Sequence, residues 1–279
     1  MLKKLLLLSI ISPQIVYAES LKSNKVFVTE DPSVAQEISS TSSKEIYTTQ
    51  DIEQSGSFSI FDFLSQHTSI NIQSQYGNKA SPLIDMRGYG MEAGYQNIVI
   101  NVDGERLNRI DMVPQIIGNI PLTSIERIEI LRGSGSVRFG DGAMAGVINI
   151  ITKNTVEQSF QSVIGTQGAQ SNILNTGYQG DSFNIMLNTS SEKNDGQVVS
   201  DPLGDKAKSK NDYNKLTLNL APTDDLKVKV SILNSRSNNY FPNSLTKTQL
   251  LADPSQNGTG NEYTNNDYDT DSYSLKTNY

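Results

Sequence analysis

The sequence predicts a mixed helix-and-strand domain followed by a run of antiparallel β-strands, and three observations carry that reading. First, residues 125–153, IERIEILRGSGSVRFGDGAMAGVINIITK, read as strand, glycine turns, strand. Ile128 and Ile130 share one face, with Glu129 and Leu131 on the other. Gly133, Gly135, Gly140, Gly142 and Gly146 interrupt the pattern, and Val147, Ile148, Ile150 and Ile151 resume it. Five glycines in fourteen residues between apolar strands imply positive φ or close backbone approach rather than a linker. Second, eleven of the twenty glycines lie between Tyr76 and Gly146, which favours a compact, turn-rich module there. Third, from Ser159 onward apolar and polar residues alternate with the period of a strand.

The chain has 279 residues and a net charge of −7, which argues against a nucleic-acid-binding surface. It has no cysteine, so it carries no disulfide framework, thiolate metal site or lipid-modified cysteine. No apolar run is long enough for a transmembrane helix, so any membrane span is made of strands. The N-terminus reads as an export signal over residues 1–18. Lys3 and Lys4 form the basic region, Leu5 to Ile11 the apolar one, and Val16-Tyr17-Ala18 the cleavage site. An uncleaved anchor is the weaker reading because the apolar run is short.

Residues 19–43, and the polar stretch on to Thr48, show little periodicity and are expected to be flexible. Within them Val26-Phe27-Val28-Thr29-Glu30 alternates, and could add as a strand to a partner's sheet edge. An ordinary first strand or a tail is the alternative. The mixed domain is assigned to residues 44–154. A short helix starts at Thr49 or Gln50, runs through Gln54 and ends at Gly56. Ser57 is the expected N-cap of a second, whose Ile60, Phe63, Leu64 and His67 share one face. His67 is the single histidine and makes a poor metal site alone. Strands follow at Ile70–Ile72, Leu83–Arg87 and Ile98–Val102. Asp103-Gly104 then predicts a tight hairpin to Glu105–Leu107. Pro121 opens a short helix leading to Glu126. The glycine run is not a phosphate cradle: Arg138 stands where GxGxxG needs its third glycine, and the Walker pattern is missing.

Residues 155–279 contain expected strands at Phe160–Gly165, Asn172–Tyr178, Phe183–Leu187, Leu216–Leu220 and Leu226–Ile232. One face is apolar and the other wet, as in a transmembrane barrel with a polar lumen, though a soluble sandwich alternates likewise. Gln179-Gly180-Asp181 and Pro222-Thr223-Asp224 are tight turns, whereas Glu192–Asp212 and Asn238–Asp267 read as long polar loops. Asp267, Asp269 and Asp271 could ligate calcium, but they lack the EF-hand glycine and terminal glutamate, which favours a hydrated loop. Tyr273 to Tyr279 could be a further strand, with chance the simpler explanation.

The run IERIEILRG followed by RFGDGAMAGVINIITK resembles the signature of the plug domain of TonB-dependent outer-membrane receptors. The resemblance implies an α+β plug domain followed by transmembrane antiparallel β-barrel strands. It marks Val26 to Glu30 as a TonB box, and Arg87-Gly88-Tyr89-Gly90 as the family's RGxG-like turn. Gly88, Gly104, Gly133, Gly140 and Gly146 are the plug's turn glycines. Arg87, Glu126, Arg127, Glu129, Arg132 and Arg138 are expected between plug and barrel wall. Apical loops around Tyr76 to Lys79, Tyr89 to Tyr95 and Asn108 to Asp111 would offer Tyr76, Tyr89, Tyr95 and Arg109 to a ligand. The implied function is high-affinity uptake of iron–siderophore complexes or cobalamin across the outer membrane of a Gram-negative bacterium. The implied partners are TonB with its inner-membrane energising complex, the ligand, and outer-membrane lipid. Neither catalysis nor a cofactor is implied, and no Ser–His–Asp set, zinc motif or P-loop is present. About 125 residues remain after Asn154, enough for about six strands, whereas even small bacterial barrels have about eight. The barrel is therefore expected to be incomplete in this chain, as in a fragment or truncated product. A secreted β-rich adhesin or periplasmic binding module, needing no TonB box and no membrane, is the alternative from another class.

Overall fold

The computed structural model describes residues 43–75, 78–89, 94–107, 115–133, 139–140, 142–196, 200–223, 225–258 and 262–279. The export signal, Val26 to Glu30, Tyr76, Arg109 and Arg138 lie outside them.

The N-terminal domain is built on a five-stranded sheet of order β1-β6-β7-β4-β5. β1 is Ser43–Thr48, β4 Ile98–Val102, β5 Glu105–Arg106, β6 Ile125–Arg132 and β7 Gly146–Thr152. β6 and β7 are the two halves of the glycine-punctuated run, antiparallel to one another, and β7 also pairs with β4 in parallel. β1 corrects the expectation that the chain is flexible up to Thr48. It pairs with β6 along its whole length, Tyr47 opposite Ile128 and Glu45 opposite Ile130. A separate two-stranded ribbon joins β2 (Asn71–Gln75) to β3 (Asn78–Asp85).

Two helices cover one face of the sheet. α1 (Thr49–Gln54) is closed at its start by a capping box: Asp51 N–H donates to Thr48 Oγ1, and Thr48 N–H donates to Asp51 Oδ2 at 2.8 Å. α2 (Ile60–His67) is capped by Ser59, whose Oγ accepts from Asp62 N–H at 3.1 Å. The expected cap, Ser57, instead gives its own N–H to Ser55 Oγ and belongs to the end of α1. Ile60, Phe63 and Leu64 are buried with Ile52 against Ile128, Ile130, Ile148 and Ile150 in one core. Each such side chain contributes about 1.5–3 kcal/mol relative to exposure. Phe63 meets Tyr47 edge-on at 5.3 Å and stacks on His67 at 5.3 Å. Two more short helices, α3 (Gly94–Asn97) and α4 (Gln115–Gly118), and a 3-10 turn at Leu122–Ser124 complete the domain.

Gly146 opens β7 without a positive φ. A Cβ there would land on the Leu131 carbonyl oxygen and the Met86 sulfur. Close backbone approach, not conformational freedom, fixes this glycine. At the β4–β5 hairpin the requirement is conformational: Asp103 has φ 50° and Gly104 φ 79°, the pair of left-handed residues that a two-residue hairpin needs.

The second sheet has six strands in the order β13-β12-β11-β10-β9-β8, every neighbour antiparallel. They are β8 Ser159–Ile164, β9 Gln170–Gln179, β10 Phe183–Asn194, β11 Ser209–Leu220, β12 Lys227–Phe241 and β13 Thr264–Asn278. Six is the number that the length allowed, and among the described residues the sheet does not close. The strands run further than alternation suggested. The ends of the two stretches read as long loops extend β10, β11, β12 and β13, so Asp267, Asp269 and Asp271 sit on a strand rather than in a hydrated loop. Tyr273 lies on that strand too. α5 (Lys247–Ala252) lies in the β12–β13 connection.

The ladder sorts the side chains onto two faces. Outward stand Phe183, Ile185 and Leu187, opposite Leu220, Leu218 and Leu216. Val228, Val230 and Ile232 continue the band, followed on β13 by Leu275 and Tyr273. Tyr178, Leu174, Phe160, Tyr273 and Leu275 of this face are all exposed. One row further along, the outward residues of β10 to β13 become Thr189, Asn214, Asn234 and Asp271, so the apolar band ends there on these four strands. The inward face is polar and covered: Asn175, Asn184, Thr217, Asn219, Ser231, Ser235, Ser237 and Asn239 are buried.

Candidate functional site

The N-terminal domain sits on the inward face of the six-stranded sheet, and the junction is polar. At its centre is Asp103, set at the tip of the β4–β5 hairpin by the turn just described. Its carboxylate accepts from Thr152 N–H at 2.8 Å and from Thr152 Oγ1–H at 2.7 Å, which fixes it to the end of β7. Across the junction, Lys215 Nζ of β11 donates to Asp103 Oδ2 at 2.8 Å, and Lys229 Nζ of β12 lies 3.6 Å from the same oxygen. Lys229 also donates to Asn154 Oδ1 at 2.9 Å. The three charged side chains are only 7–14 % exposed.

Burial alone would raise the Asp103 pKa. The Lys215 and Lys229 ammonium groups, with hydrogen bonds from Lys215 and the Thr152 backbone, override it and hold the carboxyl well below the usual range. A carboxylate depressed in the folded state contributes its stability above its unfolded pKa, near 4, and loses it as pH falls towards the folded value. Protection of the β4–β5 hairpin against hydrogen exchange is therefore expected to be flat from pH 8 to about 5, after correction for intrinsic exchange. It should decline only below about pH 4; a midpoint near neutrality would refute the pairing.

Uncharged links flank this centre. Asn119 Nδ2 donates to Ser235 Oγ at 2.9 Å and Ser237 Oγ at 3.0 Å, and Asn175 Nδ2 donates to Thr123 Oγ1 at 2.9 Å. Asn184 Nδ2 donates to the Asn154 carbonyl at 2.9 Å. Tyr213 of β11 enters the domain's own core, with Leu233 packed beside it. A cleft of about 80 Å³ opens next to Asp103, between the hairpin and strands β11 to β13.

The residues singled out in the sequence fall elsewhere. Arg127 Nε donates to Glu129 Oε1 at 2.8 Å and its Nη1 to Glu126 Oε1 at 2.8 Å. Glu129, fully buried, also accepts from Asn149 Nδ2 at 3.3 Å. Arg132 pairs with Glu45 of β1. These pairs tie β6 to its neighbours inside the domain, while Asp103 is paired with Lys215 and Lys229 of the six strands. Arg87 is exposed with φ 63°, followed by Gly88 at φ 75° and the exposed Tyr89, so the RGxG-like stretch begins as a turn. Tyr95 lies in α3. Gly133 and Gly140 have positive φ. Arg236 Nε meets Asp269 Oδ2 at 3.0 Å and Asn234 donates to Asp271 at 2.8 Å. Among the described residues no cluster of three or more His, Asp or Glu is placed to hold a metal.

Sequence reasoning misses Asp103, Lys215, Lys229 and Asn119 as site residues. In the sequence Asp103 stands out for its turn only, and Lys229 as one polar position of an alternating strand. The available signal is a lysine repeatedly placed on the inward face of a strand, where burial demands a counter-charge.

A mixed domain seated on the polar face of an antiparallel sheet, whose other face carries an apolar band, has the layout of a plug set against part of a barrel wall. Residues 36–147 match the TonB-dependent Receptor Plug Domain. The probable TonB-dependent siderophore receptor PirA of Acinetobacter baumannii is 32% identical over 162 residues, covering 52% of this chain and 20% of that protein. The vitamin B12 transporter BtuB of Vibrio cholerae is 31% identical over 155 residues, covering 53% of this chain and 25% of that protein. The chain thus spans about a fifth to a quarter of the length of these curated relatives. Among solved structures, the ferric yersiniabactin uptake receptor FyuA from Yersinia pestis superposes with a TM-score of 0.65 at 17% identity, over 84% of this chain and 38% of that one. The siderophore receptor PirA from Acinetobacter baumannii gives 0.60 at 23% identity, over 84% and 37%. Residues 36–147 thus carry the plug domain of TonB-dependent receptors, and the antiparallel strands that follow share the fold of those receptors' barrels. This is a family of receptors and transporters, not of enzymes.

Proposed function

We propose that the protein serves high-affinity uptake of a scarce nutrient, an iron–siderophore complex or cobalamin, across the outer membrane. The observation that carries this reading is the plug held to a largely polar wall by a few ion pairs and hydrogen bonds, with Tyr213 as the wall residue that enters its core. Such a junction can be broken and remade link by link. In this reading Val26 to Glu30 is the segment that TonB grips from the periplasm by strand addition, energised by its inner-membrane complex. An export signal in residues 1–18 delivers the chain to the outer membrane, and the exposed apolar band meets lipid there. Tyr76, Tyr89, Tyr95 and Arg109 of the apical loops contact the ligand, with flat surfaces and one charge for an anionic chelate. The ion pairs of Arg127 and Arg132 inside the plug keep the charges of β6 neutralised as the plug shifts.

The test is growth of cells expressing the protein on single siderophores under iron limitation, or on cobalamin in an auxotroph, with outer-membrane fractionation as control. Deletion of Val26 to Glu30 is expected to abolish growth rescue while leaving surface binding of the ligand within about twofold. Loss of binding together with transport, or unimpaired transport, would remove this segment from the role. A protein found only in the soluble periplasmic fraction would overturn the reading altogether.

A further inference from the structure

The cleft beside Asp103 has a charge balance unlike that of the chain as a whole. Arg106, Lys215, Lys229 and Lys276 line it against two carboxylates, Asp103 and Glu105, although the protein's net charge is −7. Three of the cations belong to the wall. Lys229 and Lys276 stand directly opposite one another in the β12–β13 ladder. An anion lying between or beside two lysines so placed is attracted by both. Lys215 reaches the same region from β11, and a single oxygen, Asp103 Oδ2, lies within 3.6 Å of both Lys215 and Lys229 Nζ. That oxygen is carried by the plug, whereas the lysines belong to the barrel strands. Ser272 and Ser274 supply hydroxyls at the cleft's β13 side. The volume of about 80 Å³ is several times what one water needs, and suits one phosphate- or carboxylate-sized group.

We infer that this cleft is a binding site for a small oxyanion, in which the Asp103 carboxylate is the resident counter-anion of the lysine cluster. The anion enters beside Asp103 and bridges Lys229 and Lys276 with the β13 hydroxyls. When the hairpin leaves, the anion takes over Asp103's own place. Charge-assisted hydrogen bonds from ammonium groups in a partly enclosed site give such an anion its affinity. The site goes beyond the uptake reading and does not need it. Where that reading holds, the anion is either free or the charged end of a cargo moving along the wall.

The experiment is titration of the protein in detergent micelles with inorganic phosphate, followed by ³¹P NMR and calorimetry at pH 7. Saturable binding is expected, surviving 0.3 M NaCl because the site is enclosed. Lys276→Gln leaves the Asp103 links in place and should weaken binding about tenfold. Asp103→Asn should strengthen it about tenfold, because the competing carboxylate is gone, whether or not the plug stays seated. A purely structural Asp103 predicts no gain. Phenyl phosphate separates the sources: binding comparable to phosphate identifies the charged end of a larger molecule, and binding of phosphate alone identifies a free ion. No binding by either anion, or phosphate binding unchanged in both variants, overturns the inference. Neither result depends on growth rescue, so failure here and failure of the uptake reading are separately visible.

Discussion

Asp103→Ala is expected to lower the stability of plug seating by about 3–5 kcal/mol, the cost of leaving buried charges without their partner. The carboxylate accepts twice from Thr152 and once from Lys215, with Lys229 3.6 Å away, so its removal leaves two ammonium groups that are less than 10 % exposed without their counter-charge. The readout is hydrogen exchange of the β4–β5 hairpin in detergent, where this loss appears as a roughly 100- to 3,000-fold gain in rate, at about 1.4 kcal/mol per decade. A second variant separates pairing from packing. With Asp103→Leu, Lys215→Met and Lys229→Met together, the orphaned charges are gone, and most of the lost protection should return. If the single variant exchanges no faster than the native protein, the hairpin is held by something other than this pair.

Gly146→Val is the second large effect, and it acts inside the plug. Gly146 pairs with Arg132 on one side and Ile98 on the other, and it is buried. Its missing Cβ is the space in which the Leu131 carbonyl and the Met86 sulfur sit. The thioether can swing away, but the carbonyl belongs to the β6–β7 ladder and cannot move without breaking it. Overpacking costs about 1–3 kcal/mol where a core can adjust, and here a strand must separate, so the loss is expected at or above the top of that range. The measurement is urea denaturation monitored by far-ultraviolet circular dichroism, with Gly56→Val as the control. Gly56 has a positive φ, but no atom lies within 4 Å of the place a Cβ would take, so its cost is conformational only. Equal costs at the two positions would show that close approach does not matter at Gly146.

Much of the plug is legible in the sequence because short-range rules decide it. The face formed by Ile60, Phe63 and Leu64, the Asp103-Gly104 hairpin and the apolar strand after Gly146 all follow from periodicity and turn chemistry. β1 is not legible. Ser43 to Thr48 is polar enough to read as a tail, and it becomes a strand only because β6 offers it a backbone ladder and Phe63 offers Tyr47 a ring to pack on. The strand lengths are hidden for a similar reason. Beyond the apolar band both faces of β10 to β13 are polar, so alternation vanishes while main-chain pairing continues. The site is the least visible. Asp103 and Lys215 are 112 residues apart, and nothing local marks either as a partner of the other. The charges that do stand out, on β6, draw attention because they interrupt an apolar run, yet Glu129 is buried by its own neighbours, Arg127 and Asn149.

The wall beneath the plug is furnished mainly with hydroxyls and amides from Asn175 round to Ser237. Each such group trades a hydrogen bond to protein for one to water at a net change of only about 0.5–1.5 kcal/mol. A surface of this kind behaves as a water-lubricated bearing. Displacement of the plug uncovers little oily surface beyond Tyr213 and Leu233. Resistance to motion is therefore concentrated at the lysine-held hairpin and at Tyr213 beside it, so a local catch rather than distributed friction sets the force at which the passage gives way.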